Sequence, residues 1–190
     1  KELPEESTGG TDIKAMRIHN TDFLLESTYT ALQVYLRNTE GQWVYSHKID
    51  NFFDLINQVE QDHAGNIWAT HMYKGLYRLR LDDRLQRVVL REFYPALDST
   101  ATATKPIRTM KLMGRMVFTN GNSFYTYDDI AQKITPFDPL NQELPQLTDT
   151  RNIVTINDTS FWFLRPEEYT LVKFSTGKYH ISDKVPFSIL

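Results

Sequence analysis

Two short stretches decide how the rest of the chain is interpreted: Asp62-His63-Ala64-Gly65-Asn66-Ile67-Trp68-Ala69-Thr70 and, after a gap, Gly75-Leu76-Tyr77-Arg78-Leu79. Asp62 and Gly65 are typical of a tight turn, because glycine adopts the positive φ that other residues resist. The residues after the turn favour a strand, and Gly75 indicates a second turn before the next strand. Trp68 is expected to fill the space between neighbouring sheets, where burying an indole contributes on the order of 2–3 kcal/mol.

The apolar part of that first strand recurs along the chain. The four runs are Phe23-Leu24-Leu25, Ile67-Trp68-Ala69, Met116-Val117-Phe118 and Phe161-Trp162-Phe163. Their central residues stand at positions 24, 68, 117 and 162, so the steps between them are 44, 49 and 45 residues. A period of this length indicates stacked copies of one structural unit.

Each run is flanked by other extended segments, one before it and two after it. The first segments are residues 13–19, 55–62, 107–112 and 153–157, and the last are 43–49, 88–93, 133–137 and 179–181. Four strands per repeat of this length are the signature of a β-propeller. The sequence therefore predicts an all-β fold of about four blades with four antiparallel strands each, as part of a larger ring. A closed four-bladed ring is the alternative.

The predicted blades cover about 13–50, 51–95, 106–138 and 151–184. We expect residues 1–12 to be a flexible lead-in or a passing edge segment, and residues 185–190 to start a further blade. Residues 96–106 and 138–151 are interpreted as surface loops. No segment has a helical period over three turns. Residues 51–61 come nearest to a helix, but their place in the repeat demands a first strand.

The stretch from Asp62 to Leu79 resembles the repeat of the two-component regulator propeller family. That repeat reads loosely Asp-x-x-Gly-x-Ile-Trp-x-x-Thr, a gap, and Gly-Leu-x-x-Leu. The positions that match are Asp62, Gly65, Trp68, Thr70, Gly75 and Leu76. The other repeats depart from it: the fourth keeps Asp158 but lacks the glycine, and the third has no tryptophan.

The resemblance implies a ligand-sensing segment of a hybrid two-component receptor, of the kind that gut bacteria such as Bacteroides use to recognise glycan fragments. It places this segment in the periplasm, as part of the ectodomain of an inner-membrane receptor. Histidine kinase activity would belong to other domains of the parent protein, so the chain itself is expected not to be an enzyme. Its expected partners are an oligosaccharide, further blades of the parent chain and a second copy in a homodimer.

Composition excludes several other classes of function. A net charge of −3 over 190 residues argues against nucleic acid as the main partner. No apolar run approaches the roughly 20 residues that span a bilayer, so no direct membrane insertion is expected. A cysteine count of 0 excludes disulfides and thiolate chemistry. The five histidines lack the spacing of metal ligands, and neither a metal nor a cofactor is expected.

Propellers present ligands to loops at one end of the ring, and the connections between second and third strands are the candidates here. The residues predicted to bind a ligand are Tyr29, Tyr73, Lys74, Asn122, Arg165 and Glu167. Aromatic rings stack on sugar faces, while amides and charged groups bond sugar hydroxyls. Each of these residues is equally compatible with an ordinary loop.

Two alternative functions stay open at this point, and so does the role of two arginines. A propeller glycosidase or lyase would use Glu167 or Glu168 as its acid, because glycosidases need carboxylate pairs. A scaffold would use its blades to bind another protein. Arg78 and Arg80 share one face of a strand, where they either neutralise an acidic glycan or form a solvated face. The pairs Asp82-Asp83 and Asp128-Asp129 are explained by turn chemistry.

Overall fold

A computed structural model describes residues 9–98 and 106–189, and these contain four sheets of four antiparallel strands. Neighbouring strands within each sheet follow one another in the chain. The all-β, propeller-like architecture predicted from the repeat is confirmed. A larger ring stays a prediction. The chain divides into two compact units, Lys1–Pro95 and Ala96–Leu190, which are described separately below.

Unit 1 contains the first two sheets. The first has β1 (Gly10–Ile18), β2 (Thr21–Thr28), β3 (Leu32–Arg37) and β4 (Trp43–Lys48). The second has β5 (Ile56–Gln61), β6 (Ile67–His71), β7 (Leu76–Leu81) and β8 (Val88–Tyr94). One apolar core joins them, and it includes Phe23 and Leu25 from the first sheet and Ile67 and Ala69 from the second. Each fully buried side chain of this size contributes about 1.5–3 kcal/mol.

The first strands of these two sheets, β1 and β5, are joined by side-chain hydrogen bonds. Thr11 Oγ1 donates to the Ile56 carbonyl at 2.6 Å. The Gln61 amide both donates to the Arg17 carbonyl and accepts from the Arg17 amide, each at 2.9 Å. Burial raises the pKa of Asp12, although its carboxylate accepts a hydrogen bond from the Val59 amide. From Gly10 onward the chain belongs to β1, the edge strand of its sheet, so the prediction of a flexible lead-in is wrong there and the alternative of an edge segment fits. Residues 1–8 lie outside the described residues.

Asp62 organises the turn between β5 and β6. Its Oδ1 accepts hydrogen bonds from the Ala64 and Asn66 amides at 3.0 and 2.8 Å, and Gly65 between them has a φ of +82°. Its Oδ2 accepts from the Trp68 indole N–H at 2.9 Å. Trp68 is 0% exposed and lies on the face of β6 opposite Ile67 and Ala69, since side chains alternate along a strand.

Gly75 precedes β7 at a place where only glycine fits. Its φ is +73°, and a Cβ there would lie 2.4 Å from the Tyr94 carbonyl oxygen. Thr70, at the end of the same hairpin, is fully buried. Residues 51–55 are neither helix nor strand, and β5 begins at Ile56. The choice of a strand over a helix is confirmed for the second part of this segment.

Unit 2 contains the other two sheets. The third has β9 (Arg108–Leu112), β10 (Arg115–Thr119), β11 (Phe124–Asp128) and β12 (Lys133–Pro136). The fourth has β13 (Asn152–Asn157), β14 (Ser160–Leu164), β15 (Glu168–Ser175) and β16 (Lys178–Pro186). Their shared core includes Val117 and Phe124 from the third sheet and Phe161 and Phe163 from the fourth.

A short helix, α1 (Asp138–Glu143), and a 3-10 turn at Pro145–Leu147 lie between these sheets in the chain. The prediction of a surface loop over residues 138–151 is wrong here. Leu140, Leu144 and Leu147 are buried in the core of unit 2, because their spacing of four and three residues places them on one face. A proline at the start of a helix is compatible with its first turn.

The last residues also differ from the prediction. Val185 and Pro186 pair with Tyr169 and Glu168 in β16, and a 3-10 turn follows at Phe187–Ile189. They therefore complete the fourth sheet instead of starting a further blade. The predicted loop at 96–106 falls mostly on residues outside the described ranges.

Candidate functional site

Every residue predicted to bind a ligand lies in the connection between the second and third strands of its sheet. Unit 1 carries Tyr29 between β2 and β3, and Tyr73 with Lys74 between β6 and β7; unit 2 carries Asn122 between β10 and β11, and Arg165 with Glu167 between β14 and β15. Tyr29 and Tyr73 are 50% and 68% exposed. The structure brings Arg165 and Glu167 into one pocket. A ligand role for any of the six stays a prediction.

Three of these loops are closed by a side chain at the end of the second strand: Thr28 and His71 are the last residues of β2 and β6, and Asn120 directly follows β10. Thr28 Oγ1 accepts from the Thr30 and Ala31 amides at 3.3 and 3.0 Å. His71 Nδ1 accepts from the amides of residues 73 and 74 at 3.0 and 3.1 Å. Asn120 Oδ1 accepts from the amides of residues 122 and 123 at 3.0 and 3.1 Å. Three unlike side chains thus perform one structural task, which a search for identical residues does not detect.

In unit 1 the β6–β7 loop is held by contacts among Asp54, His71 and Tyr77. His71 Nε2 lies 3.0 Å from Asp54 Oδ1, and the Tyr77 hydroxyl donates to Asp54 Oδ2 at 2.5 Å. Because Nδ1 of His71 accepts two amide hydrogens, its proton is assigned to Nε2, which donates to Asp54. His71 is 4% exposed. With both ring nitrogens engaged, this cluster offers no base to a ligand.

Ionisation of the cluster follows from these contacts. Burial of Asp54 opposes its charge, but the Tyr77 hydroxyl, the Leu55 amide, the neighbouring His71 and the charge of Lys74 together lower its pKa below the ordinary 3.8. Burial and the hydrogen bond to Asp54 raise the pKa of Tyr77 to about 12. Asp54 is therefore held as a carboxylate and Tyr77 as a neutral donor.

Unit 2 contains two adjoining pockets, which we call the unit 2 groove. The first has a volume of about 210 Å³ and is lined by Pro106, Arg108, Thr119, Asn120, Gly121, Thr148, Asp149, Thr150, Arg151 and Pro166. The second has a volume of about 370 Å³ and is lined by Asp149, Arg165, Pro166, Glu167 and Glu168. Asp149 and Pro166 belong to both.

Arg165 binds Asp149, which lines both pockets, and Glu168, which lines the second. Its Nε and Nη2 donate to Asp149 Oδ1 and Oδ2 at 2.6 and 3.1 Å, and its Nη1 donates to Glu168. Glu168 also faces the Lys184 ammonium at 3.5 Å and the Thr170 hydroxyl at 3.2 Å. The hydrogen bond to Asp149 is the main cause that raises the pKa of Arg165. Two carboxylates of the groove are thus already neutralised inside the protein.

Arg108 and Arg151 line the smaller pocket, and neither was predicted as a site residue. Arg108 opens β9, and Arg151 immediately precedes β13. The two strands lie in contact, and Arg151 is close enough for its charge to act on Arg108. The sequence signal that could have identified both arginines was their matching position, since each stands at the start of the first strand of its sheet.

A larger cleft, of about 930 Å³, lies at the turns of unit 1 and is lined by residues that include His19, Asp62, His63, Arg80 and Asp83. His19 lies 3.5 Å from Asp83, and Arg80 donates to Asn66 at 3.1 Å. His19, Asp62 and Arg80 of this cleft thus have partners inside the protein, and the cleft is a weaker candidate than the unit 2 groove.

Within residues 9–98 and 106–189 no group of three or more His, Asp or Glu side chains is arranged to hold a metal ion. Among the same residues, no helix has the length and apolar character needed to span a bilayer. The aspartates of two hairpin turns behave as predicted: Asp82 accepts from the Gln86 and Arg87 amides, and Asp128 from the Ile130 and Ala131 amides.

Comparisons with known proteins support the fold and go no further. No protein-family model matches the chain, and no curated protein does. A crystal structure of virginiamycin B lyase from Staphylococcus aureus, a β-propeller, is similar over 97% of this chain with a TM-score of 0.58 and 15% identity. The chain spans 57% of the length of that lyase chain. At this identity the similarity shows a propeller fold alone.

Proposed function

We propose that this chain is a ligand-sensing propeller segment of a periplasmic two-component receptor, and that it recognises glycan fragments. The observation that carries the proposal is the unit 2 groove, where fixed cations, hydroxyls and backbone groups surround two adjoining pockets. Sugars are bound by such convergent polar groups. The groove lies at the loops between second and third strands, where the sequence predicted a site.

The charge pattern of the groove favours binding over catalysis. A glycosidase needs two carboxylates with separate roles. Asp149 is held by two donors of Arg165, and Glu168 is held by Arg165, Lys184 and Thr170. Among the described residues that line the groove, Glu167 is the carboxylate left to meet a ligand. One available carboxylate suits a hydrogen-bond acceptor for sugar hydroxyls.

The proposal that the chain belongs to a receptor rests on the stretch from Asp62 to Leu79. Asp62 closes the turn by accepting hydrogen bonds from the Asn66 amide and the Trp68 indole, and the indole is buried. A receptor signals only through a ligand's differential affinity for two arrangements. Micromolar to millimolar binding supplies roughly 4–8 kcal/mol in total, and a part of it would bias the equilibrium towards one arrangement. Further blades of a parent chain and a second copy in a dimer are the partners that this role implies.

Calorimetry of the chain against a library of oligosaccharides tests the proposal. We expect at least one glycan to bind, and Glu167→Gln to weaken that binding by about tenfold, the cost of one hydrogen bond to a charged group. Glu40→Gln is the matched control, because Glu40 is an exposed turn residue outside the groove. A library in which no glycan binds would contradict ligand sensing.

A second candidate function is a lyase or glycosidase, favoured by the named activity of the similar propeller and by Glu167 in the groove. Such an enzyme would use Glu167 or Glu168 as its acid. Incubation with the same oligosaccharides, followed by chromatography of the products, tests it. Cleavage that Glu167→Gln or Glu168→Gln abolishes would establish an enzyme, and intact oligosaccharides would exclude one for those substrates.

A further inference from the structure

The fourth sheet carries apolar side chains on both of its faces. One face, which includes Phe161 and Phe163, is buried in the core of unit 2. On the other face Val154 lies opposite Trp162, and Trp162 lies opposite Leu171. Directly paired residues of neighbouring strands share a face. We call this second surface the outer face, and its apolar residues are Val154, Trp162, Leu164, Tyr169, Leu171 and Val185.

The outer face is exposed to solvent. Val154 is 45% exposed, Tyr169 is 36% exposed, and Trp162 is partly exposed. Phe187 extends the surface, because its ring contacts Tyr169 with the ring centres 4.8 Å apart. Trp68, the central residue of the matching run in β6, is fully buried. A contiguous exposed apolar surface of this kind marks an interaction site.

Charges of both signs border the apolar part of the outer face. Asp183 lies directly opposite Leu171, and Lys173 follows Leu171 by two residues in β15. Both charged side chains are exposed. A second copy of the chain therefore presents an aspartate to the lysine and a lysine to the aspartate, whereas a surface of one sign would repel its own copy. Closed dimers use the same surface twice, so this self-complementarity is what they require.

We propose that the outer face of the fourth sheet binds the outer face of a second copy, which gives the homodimer of the proposed function, on which this inference rests, its contact surface. The chain already covers the other face of this sheet with an antiparallel sheet, through residues such as Val117 and Phe124. Four strands about 4.8 Å apart and about 17 Å long give a flat area of roughly 300 Å² per copy.

An interface of this size belongs to the small, weak class, and its Kd is expected in the micromolar range. A weak dimer suits a receptor, because a ligand with modest differential affinity can then shift the equilibrium between monomer and dimer. Trp162 and Tyr169 are the anchors of the contact, since buried aromatic side chains contribute most to interfaces of this kind.

Sedimentation equilibrium of the chain, from micromolar to millimolar concentration, tests the proposal. We expect a monomer–dimer equilibrium. Val154→Asp should weaken the dimer at least about tenfold, because each copy then places a carboxylate in the apolar contact. Ile130→Asp is the matched control: Ile130 is 97% exposed in the β11–β12 turn, and the change removes a branched apolar side chain and adds the same charge. Circular dichroism checks that both variants fold.

Chemical labelling locates the contact. The chain has no cysteine, so Val154→Cys and Ile130→Cys each carry a single reactive thiol. We expect maleimide to label Val154→Cys more slowly as the protein concentration rises, while the labelling rate of Ile130→Cys stays constant. A dimer in which Val154→Cys is labelled at the same rate as in the monomer would place the contact elsewhere and overturn the assignment.

The outcomes separate this inference from the proposed function. A chain that stays monomeric at millimolar concentration would overturn the inference and leave the outer face to another partner, such as a further blade of the parent chain; glycan binding would still be decided by calorimetry. A dimer equally stable in Val154→Asp, or equally weakened in Ile130→Asp, would also overturn it. A chain that dimerises through this face and binds no glycan would keep the contact surface and contradict the proposed function.

Discussion

The Asp54 cluster of unit 1 consists of Asp54, His71 and Tyr77, and the arginine pair of unit 2 consists of Arg108 and Arg151. Both place polar groups inside the protein, and they do so in different ways. In unit 1 the buried His71 is fully engaged, with two backbone amides on one ring nitrogen and Asp54 on the other. In unit 2 Arg108 lines one pocket, and the carboxylate among the described residues of that lining, Asp149, is held by Arg165. The buried His71 has its partners within the protein, whereas Arg108 forms no ion pair with a carboxylate of the described residues.

The difference teaches how to separate structural polar groups from binding groups in a repeat protein. A buried polar group that has all its hydrogen bonds stabilises the fold and is expensive to remove. A cation without a counter-charge contributes little or nothing to stability, so its removal is cheap and its use lies elsewhere. Four substitutions test this distinction, and they are given in decreasing order of their predicted effect.

Asp62→Ala should be the most damaging. It removes the acceptor of the Ala64 and Asn66 amides and of the Trp68 indole. Each buried donor that loses its partner costs about 1–3 kcal/mol. For the three donors together we expect a loss of about 3–5 kcal/mol in the free energy of unfolding. Urea denaturation measures it. Asp83→Ala, in an exposed hairpin turn, is the control and should change stability by less than about 0.5 kcal/mol.

Arg165→Gln should come next. The change leaves Asp149 and Glu168 without their shared cation. Because both carboxylates keep some contact with water, we expect a loss of about 2 kcal/mol instead of the larger cost of a deeply buried pair. Thermal unfolding followed by circular dichroism measures it. A neutral result would mean that Arg165 does not stabilise this part of unit 2 through Asp149 and Glu168.

Asp54→Asn should destabilise the chain by about 1–2 kcal/mol at neutral pH, since the hydrogen bonds from Tyr77 and His71 lose their charged acceptor. The folded-state pKa of Asp54 is lowered, so its contribution to stability is present above about pH 4 and is lost as the pH falls through the folded-state value. The difference between Asp54→Asn and the parent chain should therefore shrink between pH 5 and pH 2. Urea titrations across this range check it, and a constant difference would contradict the assigned charge.

Arg108→Gln should have the smallest effect on stability. We expect a change within about 0.5 kcal/mol, or a slight gain, because the substitution relieves the repulsion from Arg151. The melting temperature without ligand measures it. A loss as large as that of Arg165→Gln would show that Arg108 is part of the internal network.

The sequence predicted the strands better than the groups between them. Period-two alternation and the recurrence near 45 residues identified four sheets. Alternate side chains of a strand point to the same face, so burial of one face produces an alternating apolar pattern in the sequence. The helix at Asp138–Glu143 was missed because a search over three turns does not detect one short helix, and of the buried leucines here only Leu140 lies within it, whereas Leu144 and Leu147 belong to the residues that follow. The proline residues there favoured a loop.

The sequence identified some residues of the candidate groove and missed others. The loops after the second strands were identified from the repeat, and Arg165 and Glu167 do line the unit 2 groove. Arg108 and Arg151 come together only because β9 and β13 lie side by side. Contacts between first strands of different sheets join residues more than forty positions apart, and no local pattern records such a contact. The ion pair of Arg165 with Asp149 joins residues 16 positions apart in two different loops, and no local pattern indicates that contact either.

Nuclear magnetic resonance of the arginine side chains tests the central claim most directly. The oligosaccharide of the library that binds most tightly is titrated into the ¹⁵N-labelled chain, and the Nε–Hε signals of all arginines are followed with the backbone amides. The account predicts shifts at Arg108, at Arg151 and at the amides of Asn120 and Gly121, with His71 and Tyr77 unchanged. Shifts centred on His71 and Tyr77, or none at Arg108, would contradict it.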